Sequence, residues 1–172
     1  MRYLNGLITI LILMLPLLFA QCSQKSERKT TNSNMSSNVT FSETSKMIKS
    51  THSVDKTAEN LQKALMDKGM NIFVTVKHHQ GAKAAGLELR PTTTVVFGNP
   101  KLGTTLMQCS QTSGIDQPMK ALIWEDDSGD VWLAYNTIEY LTQRHGTADC
   151  LDDSIKEKIA AALENFAQKA TQ

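Results

Sequence analysis

Neither sign of charge dominates the 172-residue sequence, in which Lys and Arg number 18 and Asp and Glu 17. From residue 44 onward the balance is 14 to 15, so the part able to fold has no basic footprint and nucleic acid is not expected as a partner. Cysteine is scarce, at three, and none sits in a CxxC or CxxCH arrangement. That argues against thioredoxin-like redox chemistry and covalent haem. The nine glycines and four prolines form no phosphate loop or nucleophile elbow, and no metalloprotease helix is present. No cofactor and no catalytic residue set is implied. Hydrophobic residues make up 41% and charged residues 20%, enough for a packed core and too many for global disorder.

The longest apolar stretch, Leu7–Ala20 after the lone charge of Arg2, rises about 21 Å as a helix and falls short of a roughly 30 Å hydrocarbon core. A positive start and an apolar centre of this length define a secretory signal. Leu18-Phe19-Ala20-Gln21-Cys22-Ser23 then resembles the lipobox of bacterial lipoproteins, although Gln21 and Phe19 replace the usual small residue and Leu. The resemblance implies cleavage before Cys22 and its lipidation, hence a membrane anchor facing the periplasm. The alternative is ordinary cleavage after Ala20. Eleven of the 18 residues in Ser23–Thr40 are Ser, Thr or Asn, a composition that cannot offset its ordering entropy. As a coil it reaches about 25 Å. The expected organisation is a signal peptide over 1–21, an anchor site and flexible tether over 22–42, and one domain over 43–172.

Within that domain a strand is expected near Glu43–Thr51, with Met47 and Ile48 inward. Ser53 reads as an N-cap for a helix whose stripe is Val54, Ala58, Leu61 and Leu65, closed by Gly69. Ile72, Val74 and Val76 alternate as in a strand, and Gly81–Gly86 is too short for more than a helical turn. Thr92–Phe97 is β-branched and reads as a strand ending in the turn Gly98-Asn99-Pro100. Gly103–Cys109 forms a short helix before a loop at Ser113–Pro118. Ala121–Glu125 and Val131–Tyr135 flank a hairpin turn at Gly129. Asn136 and Glu139 stand at capping-box spacing for a helix that ends at Gly146. A last helix from near Asp152 carries Ile155, Ile159, Leu163, Phe166 and Ala170 on one face. Val54, Leu61, Ile155 and Ile159 are all assigned to core packing. The order implies an α+β domain with a mostly antiparallel sheet and helices packed on one face.

Gly86-Leu87-Glu88-Leu89-Arg90-Pro91-Thr92-Thr93, Val96-Phe97-Gly98-Asn99-Pro100-Lys101-Leu102-Gly103-Thr104 and Gly114-Ile115-Asp116-Gln117-Pro118-Met119-Lys120, with Ala134-Tyr135-Asn136, resemble the bacterial family numbered 302 among the domains of unknown function. The likeness runs from about Ser53 to Lys169. It implies a TBP-like β-α-β(4)-α arrangement and no particular activity. His78-His79 replaces an Asp-His pair common in that family, and Gln117 stands where Leu is usual.

If Cys22 is acylated, Cys109 and Cys150 remain as an even pair in an oxidising compartment. They are either bridged or two small packed residues. His52, His78, His79 and His145 lack metal-site spacing and read as solvated or capping groups, so no metal is expected. Asp126, Asp127 and Asp130 read as a solvated hairpin tip rather than a calcium loop, and Trp124 and Trp132 as a cross-strand pair. The leading functional reading is a non-catalytic envelope module that binds a small molecule or protein partner. Alternatives are a structural homodimer, and an enzyme using His79 with Asp116. Asn99, fixed by Pro100, and the two rings of His79 and His145 are the residues expected to border a binding site. An apolar cavity between the sheet and the final helix would favour the binding reading.

Overall fold

The β-branched and apolar runs read in the second half of the sequence become the centre of a five-stranded sheet. The computed structural model describes residues 41–172; the expected export signal, the expected anchor at Cys22 and the expected tether up to residue 40 lie outside the described residues. Strands β1 (Ser45–Ser50), β2 (Asn71–Lys77), β3 (Thr92–Gly98), β4 (Met119–Glu125) and β5 (Val131–Asn136) lie in the order β1-β5-β4-β3-β2. Every pairing is antiparallel, with Ile48 opposite Leu133, Leu133 opposite Ile123, and Ile123 opposite Thr93. The expected β-α-β(4)-α order is present, with short helices inserted between its elements.

Two long helices, α2 (Val54–Met66) and α6 (Asp153–Thr171), cover one face of the sheet. The α2 stripe reads as expected: Val54, Ala58, Leu61 and Leu65 are all buried. Ser53 opens the helix by accepting a hydrogen bond from the Lys56 amide at 3.3 Å, and Gly69 follows its end at φ +72°. Against α2 lie Leu163, Phe166, Ala167 and Ala170 of α6 and the inward residues Val95, Phe97, Ile123 and Leu133. At one end of the sheet α4 (Pro100–Cys109), α5 (Ile138–Arg144) and α6 enclose a smaller cluster of Leu106, Ile138 and Leu151.

Several expectations are corrected. Phe41 and Ser42, assigned to the tether, open a four-residue helix α1 (Phe41–Thr44). Met47 does not face the core: it is 37% exposed on the open face of the sheet, and Ile48 alone packs inward. A register irregularity between Ile72 and Val74 breaks the alternation of β2, so Ile72 packs against the core while Val74 and Val76 stay exposed. Residues His78–Ala84 form two turns of helix, α3, because Gln80, Ala82, Lys83 and Ala84 favour helix enough to carry Gly81 inside it. Pro100 does not end a turn but starts α4, with Asn99 as its N-cap, the position where a missing N–H costs nothing. Thr137 rather than Asn136 caps α5, accepting from the Tyr140 amide at 3.2 Å. Asn136 instead accepts from the Ser45 hydroxyl at 3.0 Å across the sheet.

The β4–β5 hairpin turns at Gly129, whose φ of +81° suits glycine. Trp124 and Trp132 face each other across it. Asp126 accepts from the Trp132 indole at 2.8 Å and from the amides of Ser128 and Asp130. The indole first, then those two amides, holds its carboxyl below the ordinary value. Its oxygens are committed to closing the turn.

Candidate functional site

The three residues expected to border a site fall at two ends of the sheet. Lys77 pairs with Thr93 and Asn71 with Gly98, so His79 stands beyond one end of β3 and Asn99 beyond the other. The seven residues of β3 separate them by about 23 Å. His79 Nδ1 lies 3.1 Å from the Thr92 carbonyl oxygen and 3.2 Å from the Thr92 amide, which ties α3 to the start of β3 in either tautomer. Adjacent His78 begins the helix, with Nε2 2.9 Å from the Thr94 hydroxyl.

His145 lies at the Asn99 end, but not as the surface ring expected. Its side chain is 8% exposed, and Nε2 sits 2.7 Å from Asp116 Oδ2. Arg144 Nε reaches the same oxygen at 3.3 Å. The carboxylate thus pins the end of α5 to the loop that enters β4 through the cis Gln117–Pro118 bond. Asp116 is engaged there, so the His79–Asp116 pair weighed for an enzyme does not form, and no single site joins His79, Asn99 and His145. Asn99 spends its Oδ1 on the Lys101 amide at 3.0 Å. Its position, however, borders a large cavity.

That cavity, about 760 Å³, lies at the Gly98–Met119 end of the sheet between α4 and α6. Its volume is that of sites that take drug-sized molecules. Buried Met119, Leu151, Leu163 and Phe166 form the floor. Half-buried Leu102 and Ile159 form the walls, and Lys68, Asn99, Lys101 and Asn165 stand at the rim. It follows the seam between the two core clusters, with Ile159 packed against both.

Sequence reasoning assigned Ile155 and Ile159 to the core. Ile155 is instead 38% exposed, and both line the cavity. The reason is length. The 19 residues of α6 rise about 28 Å, whereas a seven-residue strand spans about 23 Å. The helix ends beside the last residue of β1, where the Thr171 carbonyl accepts from the Thr51 amide at 2.9 Å, so its first turns overhang the opposite end of the sheet, at Gly98 and Met119. An apolar stripe longer than its sheet was the available signal. Lys68 and Lys101 carried none, since nothing local to either marks a shared rim.

Cys109, at the end of α4, is joined by a disulfide to Cys150, in a short 3-10 turn before α6, with Cα atoms 6.3 Å apart. The bridge fastens together the two elements that flank the cavity.

The family model described as "Domain of unknown function DUF302" matches residues 46–166. Among curated proteins, "Fluoride-specific ion channel FluC 1" of Brucella suis biovar 1 (strain 1330) is 46% identical over 112 residues, 65% of this chain and 44% of that protein. The protein of the same name from Brucella abortus biovar 1 (strain 9-941) is also 46% identical over 112 residues, covering 42% of its length. The chain therefore spans less than half the length of the curated relatives it matches. Among solved structures, the crystal structure of an uncharacterized conserved DUF302 protein from Bacillus stearothermophilus superimposes with a TM-score of 0.58 at 17% identity, covering 74% of this chain and 94% of that one. A likeness at that identity speaks to the fold.

Proposed function

The chain belongs to the DUF302 family, and from that footing we propose that it is an exported, lipid-anchored envelope module that binds a small apolar ligand without catalysis. The observation that carries the binding role is the apolar cavity beneath α6, whose walls include Ile155, 38% exposed and outside both core clusters, and Ile159, half-buried where those clusters meet. Leaving such groups partly in water forgoes roughly 1–2 kcal/mol each, which a ligand filling the space would recover. Export is supported by the Leu7–Ala20 signal and by the Cys109–Cys150 bridge, because structural disulfides persist in oxidising compartments. Lipidation at Cys22 places the module at the membrane, with the Ser/Thr/Asn-rich segment as its tether.

Ala162 supplies the test. It is exposed, lines the cavity, and shares a helix face with Ile159 and Phe166. A neutral dye such as N-phenyl-1-naphthylamine is expected to brighten on the wild type and not on Ala162→Trp, with circular dichroism unchanged. Equal brightening on both removes the cavity from the reading.

A second reading draws on the relatives' name: the module serves a membrane ion channel for fluoride. The 46% identity over 112 residues favours it. Fluoride sensitivity of a host lacking this chain tests it, and unchanged tolerance counts against it.

A further inference from the structure

Resting on that cavity reading, we infer that the ligand is a single-chain carboxylate, its tail along α6 and its head between Lys68 and Lys101. Every charged side chain on the lining is cationic: Lys68 and Lys101 stand at the rim, and no Asp or Glu is among the lining residues. Neighbouring lysines behave differently. Lys63 on α2 pairs with Asp67 at 2.9 Å, and Lys156 on α6 with Asp153 at 2.7 Å. Among the described residues, no carboxylate lies within ion-pair distance of either rim lysine.

The positive end of the α4 dipole adds to this, since α4 begins at Pro100 beside the rim. Asn99 accepts from the Lys101 amide through Oδ1, which leaves its side-chain NH2 as a donor. Below the rim the surface is aliphatic and aromatic, from Leu102 and Ile159 down to Phe166. A cation or a neutral sugar would meet the wrong charge above and the wrong surface below. A fatty carboxylate meets complementary groups at both levels.

The test uses the full chain carrying Cys22→Ala, so that no detergent competes, and measures displacement of the neutral dye by dodecanoate, dodecanol and dodecylamine. Dodecanoate is expected to bind about tenfold more tightly than dodecanol, dodecylamine to bind weakest, and the preference for dodecanoate to shrink with added salt. Lys68→Gln/Lys101→Gln is expected to erase the difference between dodecanoate and dodecanol while leaving dodecanol unchanged. Both lysines are exposed, so the double variant keeps its fold. Equal affinity for all three heads, or unchanged dodecanoate binding in the double variant, overturns the head-group assignment but leaves the cavity reading standing. Absence of dye binding in every form takes down the cavity reading itself. Lysine-dependent sedimentation with phosphatidylglycerol vesicles, without dodecanoate binding, assigns the rim to a membrane surface and overturns the inference.

Discussion

Opening the Cys109–Cys150 bridge should cost the domain much of its stability and little of its binding. The two residues are 41 apart in sequence. Closing a loop of that length removes about 13 cal/mol/K of chain entropy from the unfolded state, or about 4 kcal/mol at 25 °C. Roughly 130 residues unfold together, with an entropy of about 2.1 cal/mol/K each, so the melting temperature should fall by about 15 °C. The bridge closes the far side of α4 against the turn before α6. Of the cavity floor, Leu151 adjoins the bridge, whereas Met119, Leu163 and Phe166 are held by the main core. Thermal unfolding followed by circular dichroism, with and without reductant, measures the loss. Cys109→Ala/Cys150→Ala separates it from other effects of the reductant, and dye binding at 20 °C should persist in every form. A shift below about 3 °C, or two free thiols counted on exported, unreduced protein, would refute this reasoning.

Four further outcomes are expected. Cys22→Ala should move the exported protein from the membrane to the soluble fraction; a wild type already soluble after export, with Gln21 at its amino terminus, rules out the anchor. The Thr93 side chain is fully buried, and its hydroxyl has no partner among the described residues, so Thr93→Val should raise stability by about 1 kcal/mol in denaturant titrations. Thr137→Ala removes the cap of α5 and should cost about 1 kcal/mol. Burial, reinforced by Glu164 and Glu139, pushes the Tyr135 phenol up to about 12. Its neutral form therefore supports the fold fully below pH 10, and that support drains as pH rises from 10 through 12. Tyr135→Phe should flatten this alkaline loss, roughly 2–3 kcal/mol, in unfolding measured between pH 9 and 12.

What could be read in the sequence was what short-range periodicity encodes. The β-branched run Thr92–Phe97 and the apolar segments Ala121–Glu125 and Val131–Tyr135 on either side of a Gly turn located three strands. Ser53 and Gly129 located a helix start and a hairpin turn, because their local chemistry fixes backbone geometry. The misses had longer-range causes. Met47 faces the open side because β1 pairs with β5, a partner 81 or more residues away along the chain. Asn136 lost the cap to Thr137 because the Ser45 hydroxyl claims its oxygen across the sheet. Ile155 looked like core because a helical stripe reports the direction of apolar residues and not whether anything lies opposite, whereas Ile159, one turn further on, does pack against both clusters. His79, Asn99 and His145 were grouped by residue type alone; the strand between His79 and Asn99 keeps them apart, and Asp116 takes His145 into the interior.

Two apolar surfaces compete for any hydrophobic ligand: the cavity beneath α6, and the open sheet face, where exposed Met47, Val74 and Val76 share a side with Trp124 and Trp132. Amide chemical-shift mapping of the Cys22→Ala chain, titrated with N-phenyl-1-naphthylamine, distinguishes them directly. Binding in the cavity predicts saturable shifts at Leu102, Leu151, Ile159, Leu163 and Phe166, with Met47, Val76 and Trp132 unmoved. Shifts confined to the open sheet face, with α6 silent, would contradict it.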